Sequence, residues 1–489
     1  MTLLTEPGSG LLQGVLLFVY IVTALFVCVL IILQNRTPVK TLAWIVVVMM
    51  VPIAGIVLFV FFGQDYRKQK IFSRKGLIDL DRIAVDASVQ MDALEDILKE
   101  EGSDVRSKIH LMRLMLNNDK AILTTNNSVE ILLNGDQTFP AMFEAVRSAR
   151  SYIHMQFYRF GFDELAEELI GMLLDKASSG VEVRIIFDDV GSWNFPSSTI
   201  TAMRFAGIEI FPFMPVRFPL FTNKINYRNH RKIMVVDGEC AFVGGLNIAR
   251  KYLKGDRVLG NWRDTHLRIR GEAINALNTI FLTDWFFVSG IILSGESYVS
   301  PSNRVEQRSL VQIASSGPDS DWANIMQLYF AAIATAKRTI FISTPYFSPD
   351  ESLLTALKTT SLSGVQIVLM FPEKSDSVVA TWNTRSYIAE LLEAGVEIYN
   401  YTYGFNHSKY MIVDDVFSAV GSANVDMRSF DINFEVSALV YDREFGLKMR
   451  KVFEEDLIRS VKVERGEWEQ RPAGWRRKES LARVMGPLY

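Results

Sequence analysis

Two nearly unbroken apolar stretches open the chain, residues 11–33 and 42–62. Each reaches the roughly 20 residues that a helix needs to cross a bilayer core, so the pair predicts a two-helix transmembrane hairpin. A cleaved leader is disfavoured by the length of the first stretch, its lack of a basic start and the second stretch close behind. The pattern then turns charged as far as residue 118, where residues 91–99 have helical spacing and read as a surface helix in a connector. Beyond it, strand and helix patterns alternate. Residues 152–157 read as a strand, 163–177 as an amphipathic helix ended by Gly180, and 181–187 as the next strand. The series recurs as strand 339–343, a helix opened by Ser348, Pro349, Asp350 and Glu351, then Gly364 and strand 365–370. Residues 206–210 match 394–398 in the same way. This alternation, run twice, predicts an α/β protein made of two sandwich-like halves.

The halves share a second signature. His230, Lys232 and Asp237 recur as His407, Lys409 and Asp414, each 177 positions on. Seven residues past each Asp comes Gly244-Gly245 or Gly421-Ser422, followed by Asn247 or Asn424. His and Lys at i and i+2 share one face of a strand, whereas each Asp lies an odd number of residues away and reads as structural. Asp237-Gly238 is a turn signal before the strand-like residues 240–243, which predicts a hairpin. Two His–Lys pairs in one pocket suit displacement at a phosphodiester. One imidazole attacks phosphorus while the other donates to the departing alkoxide. Lys232, Lys409, Asn247 and Asn424 supply donors for the non-bridging oxygens.

Charge and composition narrow the classes. A net charge of −3 gives no general attraction to nucleic acid. Cys28 and Cys240 are the only cysteines, and the five histidines lack ligand spacing, so neither a disulfide framework nor a metal site is expected. Arg36 and Lys40 lie between the apolar stretches; Arg67, Lys68, Lys70, Arg74 and Lys75 follow the second, and no Lys or Arg precedes the first. The positive-inside bias places the large remainder in the cytoplasm.

With its doubled His-x-Lys-x-x-x-x-Asp motif the chain resembles the phospholipase D superfamily. More narrowly, it is similar to the bacterial cardiolipin synthases over essentially its whole length. That closer likeness rests on Arg36-x-Pro38-x-Lys40-x-x-Ala43-Trp44, residues 187–192, 261–266, 344–350 and 433–435, Trp468-x-x-Arg471-Pro472 and Pro487-Leu488. The resemblance implies duplicated phospholipase D-like α/β sandwich halves behind the hairpin. The expected divisions are 1–66 for the hairpin, 67–118 for the connector, 119–300 for the first half and 301–489 for the second half with a basic tail. It implies transfer of a phosphatidyl group between two phosphatidylglycerol molecules, with His230 as nucleophile and His407 as acid and then base. It carries Asp237 and Asp414 with the catalytic set as motif members, Asp264 and Glu435 as orienting carboxylates, and Ser422 as a phosphate contact, Gly245 being its departure in the first half. No cofactor is implied. The partners are phosphatidylglycerol in the membrane and anionic headgroups, with no nucleic acid.

Other features carry less. His154 and His266 read as structural strand histidines. The Phe- and Pro-rich insertion at 211–221 reads either as a loop packed on the core or as an apolar lip holding acyl chains. The basic run 475–478 reads as a solvated helix face or a headgroup contact. Competing functions are a hydrolase using the same covalent intermediate, a transferase with another alcohol acceptor such as serine, a nuclease, and a catalytically silent membrane scaffold.

Overall fold

A computed structural model describes residues 7–34, 38–51, 53–62, 78–216, 226–293, 298, 305 and 307–486. It divides the chain into two compact units, Met1–Ile71 with Val216–Ile225, and Phe72–Pro215 with Asn226–Tyr489.

In the first unit α1 (Pro7–Leu33) packs with α2 (Pro38–Met50) and α3 (Ala54–Phe62). Ala24, Val27, Cys28, Ile31, Val48 and Phe59 form a small core, and the Tyr20 hydroxyl donates to the Val48 carbonyl at 2.8 Å. Most of the other α1 side chains, including Leu16, Leu17 and Phe18, are exposed apolar surface, which suits lipid. Among the described residues only Gln13–Leu33 is long and apolar enough to span a membrane. The second predicted span is therefore corrected from one helix to two. Pro52 in the sequence removes a backbone donor there, and Ile53 leaves helical geometry at φ 62°. The orienting residues 36, 67, 68, 70, 74 and 75 lie outside the described residues.

The second unit holds two sheets. The first comprises β1 (Asn127–Leu133), β2 (Tyr152–Phe157), β3 (Glu182–Asp188), β4 (Glu209–Phe213), β5 (Lys232–Val236), β6 (Cys240–Gly244) and β7 (Thr265–Gly271). Their spatial order is β1-β7-β6-β5-β2-β3-β4. The second comprises β8 (Leu310–Ser316), β9 (Thr339–Ser343), β10 (Gln366–Pro372), β11 (Glu397–Tyr401), β12 (Tyr410–Val413), β13 (Phe417–Gly421) and β14 (Glu435–Tyr441). It runs β8-β14-β13-β12-β9-β10-β11, the same order repeated, with an added edge strand β15 (Ser460–Lys462) beside β11. In each sheet three strands are parallel and the motif-bearing strands join antiparallel.

Strand alternation explains the layering. In β5, Met234 and Val236 face the core beneath the first half's helices, while Ile233 and Val235 face a second core. In β12, Met411 and Val413 face helices and Ile412 joins that same second core. The two sheets thus sandwich one apolar layer, with helices outside both. Buried on both faces, these strands read as continuous apolar runs rather than alternating ones.

The connector differs from expectation. Ala87, Leu94 and Leu98, spaced for one helix face, are buried with Leu111, Met112 and Met115 against Leu328 and Ala332 of the second half. The insertion's first residues also turn inward: Phe213 and Met214 are buried with Phe281, Trp285 and Phe434. Residues 217–221 of it lie outside the described ones.

Candidate active site

Each motif histidine is delivered by a short crossing between the halves. Just before β5, Asn229 bridges Phe434 in parallel, and the His230 amide donates to the Phe434 carbonyl at 2.9 Å. Just before β12, Phe405 and Asn406 pair in parallel with Trp262 and Arg263, and the His407 amide donates to the Arg263 carbonyl at 2.7 Å. The two crossings are pseudo-symmetric, and they exchange partners. His230 Nδ1 meets Glu435 of the second half at 2.9 Å, while His407 Nδ1 meets Asp264 of the first half at 2.6 Å. A carboxylate on Nδ1 fixes that nitrogen as the protonated one and leaves Nε2 with the lone pair.

Lys232 and Lys409 are fully buried, and each ammonium donates to the carbonyl of its own motif histidine. Two N–H donors remain on each. Burial pulls Lys232 down to about 7 and Lys409 to about 8, although Glu435 and Asp264 oppose the shift. Burial also holds both imidazoles neutral, His230 at about 4 and His407 well below its ordinary value, with the lysine charges adding to the effect. Against the cost of burial, His230 and Lys232 keep Glu435 below the ordinary carboxylate range. A bound phosphodiester anion would raise the neighbouring imidazole and lysines, so substrate completes the charge of the site.

The structure redistributes several expected roles. Asp237 and Asp414, carried as motif members but read from their spacing as structural, bond backbone amides. Asp237 accepts from the amides of Arg150, Ser151 and Tyr152 at 2.7, 2.8 and 2.8 Å, pinning the start of β2. Asp414 does the same for Lys337, Arg338 and Thr339, and pairs with buried Lys108 at 2.6 Å. Their odd spacing puts them at the turn, away from the imidazoles. Ser422, expected as a phosphate contact, has a buried hydroxyl that donates to Glu435 and accepts from the Val436 amide at 3.0 Å, so it also steadies the acid. A Cβ on Gly245 would fall 2.1 Å from Asp264 Oδ1, which explains why that position differs from Ser422. The Asn247 amide is engaged by the Arg159 N–H and Tyr252, and the Asn424 carbonyl oxygen is buried with no partner among the described residues.

Some residues at the site were not singled out by sequence. Tyr158 sits edge-on to His230 at 5.1 Å, and Trp262 lies 5.4 Å from His407. Behind the crossings run buried pairs Arg228–Asp188, Arg231–Asp284 and Arg263–Asp456. Asp284 had a signal, as an acid inside the apolar helix Ala273–Ser289; Asp456, within a charged stretch, had none. His154 bonds Asn278 at 2.8 Å and burial pushes it to about 3. His266 is buried too. Among the described residues no cluster is placed to hold a metal ion.

Twin sheets in one order thus give each half an imidazole whose acid lies on the other. The family profile described as "Cardiolipin synthase, PLD-like domain" matches residues 142–285 and 329–457, and one described as "Phospholipase_D-nuclease N-terminal" matches 18–64. A cardiolipin synthase of Geobacillus sp. is 41% identical over 99% of this chain and 96% of its own length. Cardiolipin synthase 2 of Bacillus anthracis is 40% identical over 96% of this chain and 90% of its own. The crystal structure of a phosphatidylserine synthase from Haemophilus influenzae shares the fold, with TM-score 0.60 and 13% identity over 78% of this chain and all of that one. The chain belongs to the cardiolipin synthase family, and with its apolar N-terminal helix it is membrane-associated.

Proposed function

We propose that this cardiolipin synthase moves a phosphatidyl group between two phosphatidylglycerol molecules in two displacements. His230 Nε2 attacks the phosphorus of the first lipid. The bond to its headgroup glycerol breaks, and His407, protonated on Nε2 once the phosphodiester anion is bound, gives that oxygen its proton. The glycerol leaves, and a hydroxyl of a second phosphatidylglycerol takes its place. It passes its proton to His407 as its oxygen bonds to phosphorus and the P–N bond breaks, giving cardiolipin and free His230. Lys232 and Lys409 stabilise the charge on the non-bridging oxygens, and Glu435 and Asp264 hold the rings in the working tautomer. The crossed imidazole–acid pairs carry this reading, since they supply one base and one acid to a common phosphorus.

Purified protein in detergent micelles with phosphatidylglycerol alone should release cardiolipin and glycerol in equal amounts. Its kcat/KM should decline as pH rises through about 7 to 8, where the free enzyme's lysines lose their protons. Phosphatidic acid as the sole lipid product would instead mean a hydrolase.

In this reading residues 1–66 are a multi-pass anchor, 119–300 and 301–489 are the two halves, and the catalytic part faces the cytoplasm, as the basic flanks favour. Phosphatidylglycerol and anionic headgroups are the partners. A cysteine placed at residue 35 should react with an impermeant thiol reagent from outside intact cells; labelling only after lysis would reverse the topology.

A further inference from the structure

Near His407 lies Lys251, and Arg159 is linked to the same aromatic wall through Asn247 and Tyr252; the two displacements leave both cations unused. Lys251 is half-buried, with its ammonium 4.0 Å from the centre of the Trp262 ring and 5.4 Å from that of Tyr252. Both rings also abut His407, at 5.4 and 5.8 Å. Arg159 is half-buried as well, its amide fixed to Asn247 at 3.1 Å, and its charge acts on Lys251. Among the described residues neither side chain has an ion pair or a hydrogen bond. Asp376 and Asp256 attract Lys251 only from a distance, and the Asp376 carboxylate already accepts from Tyr346 at 2.5 Å. Two adjacent, partly desolvated, unpaired cations repel one another, and an anion between them would relieve that cost.

The other side of the site lacks this arrangement. The position 177 residues after Lys251 is Arg428, whose guanidinium donates to the Asn226 carbonyl. Lys251 and Arg159 therefore mark one direction through the centre, the His407 side. In an in-line displacement the leaving group departs opposite the nucleophile, and the next acceptor enters by the same side. The headgroup glycerol that leaves bears no second phosphate. The incoming phosphatidylglycerol does, one glycerol away from its attacking hydroxyl.

We propose that Lys251 and Arg159 form a subsite for the acceptor lipid's own phosphate, beside His407, and so set the preference for a phospholipid acceptor over water or a simple alcohol. This rests on the two-displacement reading with His230 as nucleophile. Trp262 and Tyr252 hold the Lys251 ammonium in place by cation–π contact while leaving its N–H donors for phosphate oxygens.

The test uses full-length protein in mixed micelles of phosphatidylglycerol with and without ethanol. Lys251→Gln and Arg159→Gln should each lower cardiolipin formation at limiting phosphatidylglycerol by about tenfold or more, the worth of one charge-assisted contact. Formation of phosphatidylethanol should stay within about twofold under the same scale of effect, and Lys251→Arg should restore most of the cardiolipin. Retained phosphatidylethanol formation also shows that the variants are folded. Parallel loss of both products would overturn the subsite, because the cations would then be serving the reacting phosphorus; unchanged cardiolipin formation would overturn it equally. Failure of the two-displacement reading itself is distinguishable, since the unaltered protein would then form no covalent phosphatidyl intermediate on His230.

Discussion

Replacing His230 or His407 with alanine should each reduce cardiolipin formation by at least about 10³-fold, the scale of losing a covalent nucleophile or its acid–base partner. The two losses should not multiply in the double variant, because in the proposed mechanism both rings act on one phosphorus and neither step proceeds without the other. Alanine leaves Glu435 or Asp264 buried without its imidazole, at a cost of roughly 1–3 kcal/mol, so thermal unfolding should be measured beside activity. Asparagine at either position keeps a donor near the acid and should recover stability without recovering turnover. Normal product formation by either single variant would remove the shared centre.

Gly245→Ser should cost about 10²- to 10⁴-fold in turnover, although it merely copies the residue found at the matching position of the other half. Its Cβ would fall on the Asp264 carboxylate, which is also held by the Thr265 amide at 2.8 Å. The acid must move, and His407 then loses the partner on Nδ1. The reverse exchange, Ser422→Gly, removes one of several contacts to Glu435, which keeps His230 and Asn433. It should cost on the order of 1–3 kcal/mol at most. Steady-state rates for the two variants under one set of conditions decide the matter: similar losses would mean that the two acids are seated alike.

Local pattern carried much of the architecture. The runs read as strands at 152–157 and 339–343 are β2 and β9 with the same bounds, and the turn at Asp237 does join β5 to β6. The 177-residue offset anticipated that both sheets share one strand order. What the chain could not display locally is contact across long separations. Nothing near His230 announces that Glu435, 205 positions on, is its acid. The spacing of Ser422 likewise says nothing of Val436 on the adjoining strand, whose amide turns the hydroxyl toward Glu435. The connector misled because its charges are conspicuous, whereas its buried stripe needs the second half's helix at Asn324–Ala334 to make sense.

The exchange of acids between the halves has a bearing on ancestry. A protein of half this length, folded on its own, would own an imidazole with no acid and an acid with no imidazole. Such a half could complete its pair only against a second copy, the two exchanging carboxylates. Joined in one chain, the copies are free to differ, as glycine and serine do at equivalent places.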